Sequence, residues 1–172
     1  MNAEQEEEVE AEARRSLEQS ILQFCRRGYE LRRVKNGHIE PARLVSVTDE
    51  NYFRYHSQGF WRILPEKLKS VVISELFEVR KGYSTDNLKQ SATKLKFRKA
   101  ASEDMCFSVV FTKTEFLHKS VDFIADSTET RNKFFNALEY LINNKKKERL
   151  FFDEKCWLKE KFKLADTNKN GE

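Results

Sequence analysis

Apolar residues in the first part of the chain recur at the 3.6-residue interval of a helix. Over residues 4–27 this interval predicts an α-helix whose apolar face is confined to its second half and consists of Leu17, Ile21, Phe24 and Cys25. Acidic first turns, a closing Arg26–Arg27 pair and a following glycine are typical of the two ends of such a helix. Because residues 1–16 have no face to bury, we expect an acidic N-terminal arm that is frayed or disordered.

From Tyr29 onward the apolar residues alternate or form short groups rich in Val and Ile, which predicts strands separated by turns. The predicted strands lie in YELRRVK, ARLVSV, YFRYHS, KSVVISELFEVRKG and, as a pair, MCFSVVFTKTEFLHKSVDFIAD. The segments NGH and TDEN between the first three are hairpin turn signals. The polar and basic segment TDNLKQSATKLKFRKAASED is expected to be a loop or an excursion from the sheet.

The helical interval returns after Ser127, which is a typical N-cap residue with an acidic residue in the turn that follows. The predicted helix carries an apolar face of Phe134, Phe135, Leu138, Leu141 and Ile142 and ends at NNKKKER. A separate helix is predicted for DEKCWLKEKFKLAD. About seven short strands followed by one capping helix predict a fold that is mainly β with α, a small antiparallel barrel or sandwich closed at one corner by the helix.

The composition fits one soluble domain with a packed aromatic core. The 172 residues include 14 Phe and 5 Tyr against 5 Gly and 2 Pro, with 35% charged residues and a mean hydropathy of −0.74. Three widely spaced cysteines without metal-ligand spacing suit a reducing compartment. No secretory signal and no apolar run of membrane-spanning length is present, so we expect a cytosolic protein or one attached peripherally to a membrane.

The net charge of +4 is distributed unevenly along the chain. An acidic block lies within residues 4–12, and basic residues cluster in residues 26–43 and 89–99. Two basic clusters on a nearly balanced chain indicate local recognition of an anion. The basic runs lack the aromatic-basic interleaving of an RNA-recognition sheet, which argues against nucleic-acid binding. No catalytic motif is present, and the three His residues lack partners at catalytic or metal-binding spacing.

The last nine residues, LADTNKNGE, have the pattern that opens an EF-hand calcium loop. Asp166, Asn168 and Asn170 occupy alternate positions and Gly171 follows, which corresponds to loop positions 1, 3, 5 and 6. The bidentate glutamate of position 12 lies beyond the sequence. We therefore expect no useful calcium affinity in this chain, and we expect the segment to mark the start of a further domain in a polypeptide that is cut short here.

Several segments in this order resemble the N-terminal region of phosphoinositide-specific phospholipase C, in which a pleckstrin-homology (PH) domain precedes EF-hands. They are ISELFEVRKGYSTDNL, CFSVVF, KSVDFIADSTETRNKFFNAL and WLKEKFKLADTNKNGE. The likeness is to the delta-like and eta-like branches and their inactive relatives. It implies an acidic arm over residues 1–16, a seven-stranded PH domain with its leading helix over 17–146, and the first helix and half loop of a truncated EF-hand over 147–172. Phe134 stands where PH domains usually have a tryptophan.

The resemblance also implies a set of ligands for an inositol phosphate headgroup. The K-x-K motif of the family's first strand falls on Arg33 and Lys35, and alternation along the strand places both on one face. The remaining implied ligands are Arg43 from the second strand, Ser120 from a late strand, and Lys67 and Lys69 as substitutes for basic residues that do not align. The chain departs from the family at Ile39 and Glu40, where a Trp-Arg pair is expected, and near Gln58–Gly59.

These implications together predict a membrane-targeting module that binds phosphoinositides, at the cytoplasmic side of the plasma membrane. We expect no catalytic residue and no cofactor in this chain, whereas a full-length phospholipase C would use calcium. One alternative is a protein-interaction module that docks on a GTPase or on downstream phospholipase domains. Two further interpretations are open. The basic residues could be ordinary solvated charges on strands, or the chain could be a free-standing adaptor protein.

Overall fold

A computed structural model describes residues 2–57 and 67–167 of the chain. The first element is helix α1, Ala3–Arg27, which confirms the helix predicted from the apolar interval. Residues 3–16 were expected to be frayed or disordered, but they continue this helix with almost all side chains exposed. The helix ends at Gly28, whose φ of 75° is readily adopted only by glycine.

An antiparallel sheet follows, as predicted, with eight strands instead of about seven. The predicted strand segment KSVVISELFEVRKG forms two of them, separated by a short 3-10 turn at Ile73–Glu75. The strands are β1 (Tyr29–Lys35), β2 (His38–Ile39), β3 (Arg43–Val47), β4 (Tyr52–Ser57), β5 (Lys67–Val72), β6 (Leu76–Lys81), β7 (Cys106–Thr114) and β8 (Leu117–Ile124). Seven of them pair in the order β5-β4-β3-β1-β8-β7-β6, and the short β2 pairs with β1. Both predicted hairpin turns are confirmed, with positive φ at Asn36 and Gly37 in the first and at Asn51 in the second.

The sheet curls so that its two halves face each other across the main core. Phe53 on β4 packs edge-on against Phe123 on β8, with ring centroids 6.1 Å apart, although two strands separate β4 from β8 in the sheet. Phe134 is fully buried at one end of this core and packs against Phe24 and Phe107. An aromatic side chain therefore fills the corner at which the sequence placed one.

The segment between β6 and β7 was predicted to be a loop or an excursion from the sheet, and the prediction of a loop is wrong. It forms two short helices, α2 (Asp86–Ser91) and α3 (Leu95–Ala100). Each helix buries one apolar residue, Leu88 or Phe97, in a second small core on the outer face of the sheet beside Val34. Two isolated apolar residues in a polar segment give no periodic signal, yet each is enough to fix a short helix against a sheet.

A buried polar network holds α2 to the sheet. The carboxylate of Asp122 accepts hydrogen bonds from the Thr85 hydroxyl at 2.9 Å, the Ser108 hydroxyl at 2.7 Å and the Asn87 amide nitrogen at 2.7 Å. The same Asn87 nitrogen donates to the Val34 carbonyl at 3.1 Å, and the Asn87 side-chain oxygen accepts from the backbone N–H of Gly37 at 3.4 Å. Asn87 thus joins α2 to both β8 and the β1–β2 turn.

A single helix, α4 (Thr128–Thr167), follows the sheet. The Ser127 hydroxyl accepts from the Thr130 backbone N–H at 3.1 Å, as expected for an N-cap. Two separate helices were predicted here, but no glycine or proline interrupts residues 128–167 and the helix continues through them. In the part of the chain that the structure describes, no helix is long and apolar enough to cross a membrane.

Candidate anion-binding site

An open depression of about 380 Å³ lies at the end of the curled sheet away from Phe134. Four strands, β1, β5, β7 and β8, contribute its polar residues. These are Arg33, Lys35, Lys69, Ser70, Lys113, Lys119 and Ser120. Tyr55 from β4 and the apolar residues Val71, Phe111 and Val121 complete the lining. Five of these side chains are cationic, and none of the residues that line the depression is acidic.

The alternation along β1 explains how Arg33 and Lys35 reach the depression. Leu31 is buried in the main core, and the next two odd-numbered residues of the strand continue that inner face up to the open end. Val34 between them points outward into the small core beneath α2 and α3. The two basic residues that the sequence places on one face therefore line the same depression.

Arg33 is held against an aromatic ring. Its guanidinium carbon lies 5.5 Å from the centroid of the Tyr55 ring, within the range of a cation–π interaction. Burial raises the pKa of the Tyr55 hydroxyl, and the nearby Arg33 opposes that shift. The ring packs in turn against Phe53 and Phe123, so the main core fixes its position.

Lys69 of β5 also lines the depression. It lies on β5 directly across from Tyr55 on β4, which places the two side chains on the same face of the sheet. Only the backbone of Lys67 is described, where it pairs with Ser57 at the other end of the same ladder. The predicted ligand role of the Lys67 side chain lies outside the described part of the chain.

The β7–β8 hairpin supplies two further lysines that the sequence reasoning missed. Lys119 pairs with Phe111, and Lys113 lies two residues after Phe111 beside a register shift in the hairpin. The pKa of Lys119 is lowered, chiefly because its amino group contacts that of Lys113, with a smaller contribution from Lys69. Like charges that are held close together repel each other, and a bound anion would relieve that repulsion.

Two of the predicted ligands lie away from the centre of this cluster. Ser120 pairs with Val110 on β7. Because it alternates with Lys119 and Val121, its side chain is directed to the other face of the sheet. Ser120 therefore lies at the rim and also lines a neighbouring polar depression near Thr85. Arg43 does not line the depression. One guanidinium nitrogen of Arg43 donates to the carbonyl of Ala42 at 3.0 Å.

The departures from the phospholipase C pattern have structural counterparts in β2 and the residue after it. Ile39 packs against the small core that contains Val34, so a side chain at this position serves the fold. The backbone N–H of Glu40 donates to the Arg33 carbonyl at 2.8 Å, while Glu40 itself does not line the depression. Gln58 and Gly59 lie outside the described residues.

The structure gives no support for a metal centre within residues 2–57 and 67–167, where no group of three or more acidic, His or Cys side chains is arranged to hold an ion. Asp166 lies in the last turn of α4, whereas Asn168 and Asn170 fall outside the described residues. The calcium-loop pattern therefore stays a prediction from sequence.

Comparisons with known proteins reveal similarity in fold. No protein-family model matches the chain, and no curated protein matches it. The crystal structure of S. officinalis PLC21 is similar with a TM-score of 0.51 and 8% identity, covering 70% of this chain and 16% of that chain. The crystal structure of L. pealei PLC21 gives a TM-score of 0.48 and 10% identity, covering 69% of this chain and 15% of that chain. About 70% of this chain is thus similar in fold to one part of the much longer S. officinalis PLC21 chain.

Proposed function

We propose that the chain is a membrane-targeting module that binds the phosphorylated inositol headgroup of phosphoinositides. One observation carries this proposal: five cationic side chains from four strands converge on one depression that no acidic residue lines. In this proposal Arg33, Lys35 and Lys69 hold the headgroup together with Lys113 and Lys119, and the hydroxyl of Ser120 assists from the rim.

The chemistry of phosphate supports this choice of ligand. A phosphate monoester carries a charge of about −1.5 to −2 at neutral pH and presents several strong acceptor oxygens. Two such groups on one ring match a cluster of separated cations better than a single carboxylate does, because each oxygen can accept its own charge-assisted hydrogen bond. The volume of about 380 Å³ is also within the range of small-molecule sites.

The wider role that we propose is in phosphoinositide and calcium signalling as part of a phospholipase C or an inactive relative. PLC21 is a phospholipase C by its name, and this chain corresponds to 16% of that protein's length. Residues 17–146 would form a PH domain, and 147–172 would begin an EF-hand. The module would hold a separate catalytic body at the inner face of the plasma membrane, and that body would use calcium in a full-length enzyme. We assign no catalysis to this chain.

A second candidate function is docking on a GTPase or on other phospholipase domains. The observation that favours it is a groove of about 840 Å³ between α4 and the segment that joins β5 to β6. Phe77 in this groove is 43% exposed, and basic residues of α4 line its other side. Aromatic residues and arginine are enriched at protein interfaces, and Phe77 and Arg149 both line this groove.

Sedimentation with liposomes tests the lipid proposal. The wild-type chain is expected to bind vesicles that contain phosphatidylinositol bisphosphate and to bind much less to vesicles of neutral lipid alone. Arg33→Ala/Lys35→Ala should weaken the bisphosphate-dependent binding by about tenfold or more, because two charge-assisted contacts are lost.

The matched control is Arg14→Ala/Arg15→Ala on α1, which removes the same charge from an exposed part of the molecule far from the depression. This control should bind as the wild type does. Equal losses in the two double variants would indicate nonspecific charge attraction, and unchanged binding in the β1 variant would refute the assigned site. In either case the groove beside Phe77 would become the leading candidate.

A further inference from the structure

The tip of the β7–β8 hairpin presents two apolar side chains to solvent. Phe116 is 93% exposed, the largest exposure among the large hydrophobic residues that the structure describes, and the adjacent Leu117 is 48% exposed. An isolated exposed leucine is ordinary, whereas a nearly bare phenylalanine at a hairpin tip loses the whole benefit of burial.

The same hairpin carries part of the cationic cluster. Lys113 and Lys119 each lie three residues from Phe116 and both line the depression. Three extended residues span at most about 10 Å, so the apolar tip lies beside the opening of the anion site. An apolar tip next to cations that face the same opening matches the layering of an anionic membrane, in which phosphates lie above acyl chains.

We propose that the β7–β8 hairpin tip inserts Phe116 and Leu117 into an anionic lipid membrane while the cationic depression holds a headgroup. This inference rests on the proposed function and adds a second, apolar attachment to it. Glu115 shares the tip, and a carboxylate is costly to place among acyl chains. The insertion is therefore shallow and reaches the boundary between headgroups and acyl chains.

The first test compares vesicles with a soluble headgroup. Phe116→Ser should weaken binding to vesicles containing phosphatidylinositol bisphosphate by about tenfold, because one large apolar side chain no longer leaves water. Its affinity for soluble inositol trisphosphate should equal that of the wild type. The matched control is Leu17→Ser on α1, where Leu17 is 62% exposed and distant from the depression. This control should change neither measurement.

These arms separate failure of the inference from failure of the proposed function. Unchanged vesicle binding by Phe116→Ser, with normal headgroup binding, would overturn insertion and leave the headgroup site standing. A wild-type chain that binds neither vesicles nor the soluble headgroup would overturn both. Because Phe116 packs on almost nothing, loss of the fold cannot account for a weakened variant, and thermal unfolding of each variant verifies this.

A second measurement detects insertion directly through an environment-sensitive fluorophore attached at position 116. The variant is Phe116→Cys in a Cys156→Ser background, since Cys156 is exposed while Cys25 and Cys106 are fully buried. Bisphosphate-containing vesicles should shift the emission to the blue, and brominated acyl chains should quench it. The same label at position 17 should respond to neither. Emission at position 116 that stays unchanged on bound vesicles would overturn the inference.

Discussion

The guanidinium carbon of Arg33 lies 5.5 Å from the centre of the Tyr55 ring, on the inner face of the sheet where the depression opens. The ring is buried and packs against aromatic residues of the core. The core therefore sets the direction in which this arginine extends, and a substitution within the core can alter binding at the depression.

Tyr55→Leu removes the ring while keeping an apolar side chain at this position. We expect the affinity for bisphosphate vesicles to fall about two- to fivefold, since a cation–π contact contributes about 0.5–1 kcal/mol. Sedimentation with vesicles measures the change. Tyr55→Phe retains the ring and should bind nearly as the wild type does, so a larger loss in Tyr55→Phe than in Tyr55→Leu would contradict the role of the ring.

Vesicle binding should weaken at alkaline pH through Lys119. Contact with Lys113 lowers the pKa of Lys119 below the usual 10.5. An anion binds the protonated form, so affinity is full below the lowered pKa and decreases as the pH rises through it. In Lys113→Gln the pKa of Lys119 should move back toward its usual value and the decrease should begin at higher pH. NMR titration of the lysine side chains measures both values, and an unchanged Lys119 titration would contradict the contact.

Gly28→Ala should lower the free energy of unfolding by about 3 kcal/mol, because φ of 75° and ψ of 169° define a region that is nearly exclusive to glycine. An added Cβ would also lie 2.9 Å from the Val45 carbonyl oxygen. Gly37→Ala is the comparison, since its φ is also positive but the nearest atoms would lie at 3.8 Å. We expect a loss of about 1 kcal/mol there. Urea unfolding that gives equal losses would contradict this difference.

Asp122→Ala should reduce the free energy of unfolding by about 3 kcal/mol, because three donors, two of them buried, lose their shared acceptor. Asp122→Asn keeps one oxygen acceptor and should cost less. Hydrogen exchange should show the greater part of the damage in α2 and the β1–β2 turn. Protection that falls equally throughout the sheet would argue against a local role for the network.

The sequence was sufficient to predict most of the sheet because its strands alternate between apolar and polar residues and its turns contain Asn-Gly or Thr-Asp-Glu-Asn. It failed for α2 and α3, whose anchors Leu88 and Phe97 are single residues with no periodic companions. It also failed for the continuity of α4, since a cluster of basic residues resembled a helix end. The absence of glycine and proline from residues 128–167 predicts the continuous helix correctly.

The candidate site was predictable only where its residues are neighbours on one strand. Arg33 and Lys35 lie on one strand, so local alternation alone relates them. The contribution of Lys113 and Lys119 depends on the register of the β7–β8 hairpin and on the curl that brings β8 near β5. Strand register and sheet curvature leave little local signal in the sequence. The alternation of Phe111 with Lys113 and of Lys119 with Val121 does indicate that each lysine shares a sheet face with an apolar residue.

The hydrogen bonds of Asn87 restrict the β1–β2 turn before any anion binds. Its side chain ties the β1–β2 turn at Gly37 to Asp122 on β8, immediately after the part of β1 that carries Arg33 and Lys35. A free hairpin tip would sample many conformations and would lose that freedom when an anion is captured. Here the restriction is already imposed when the chain folds, so the cationic face of β1 is preorganised and the proposed headgroup would bind with little further loss of conformational entropy.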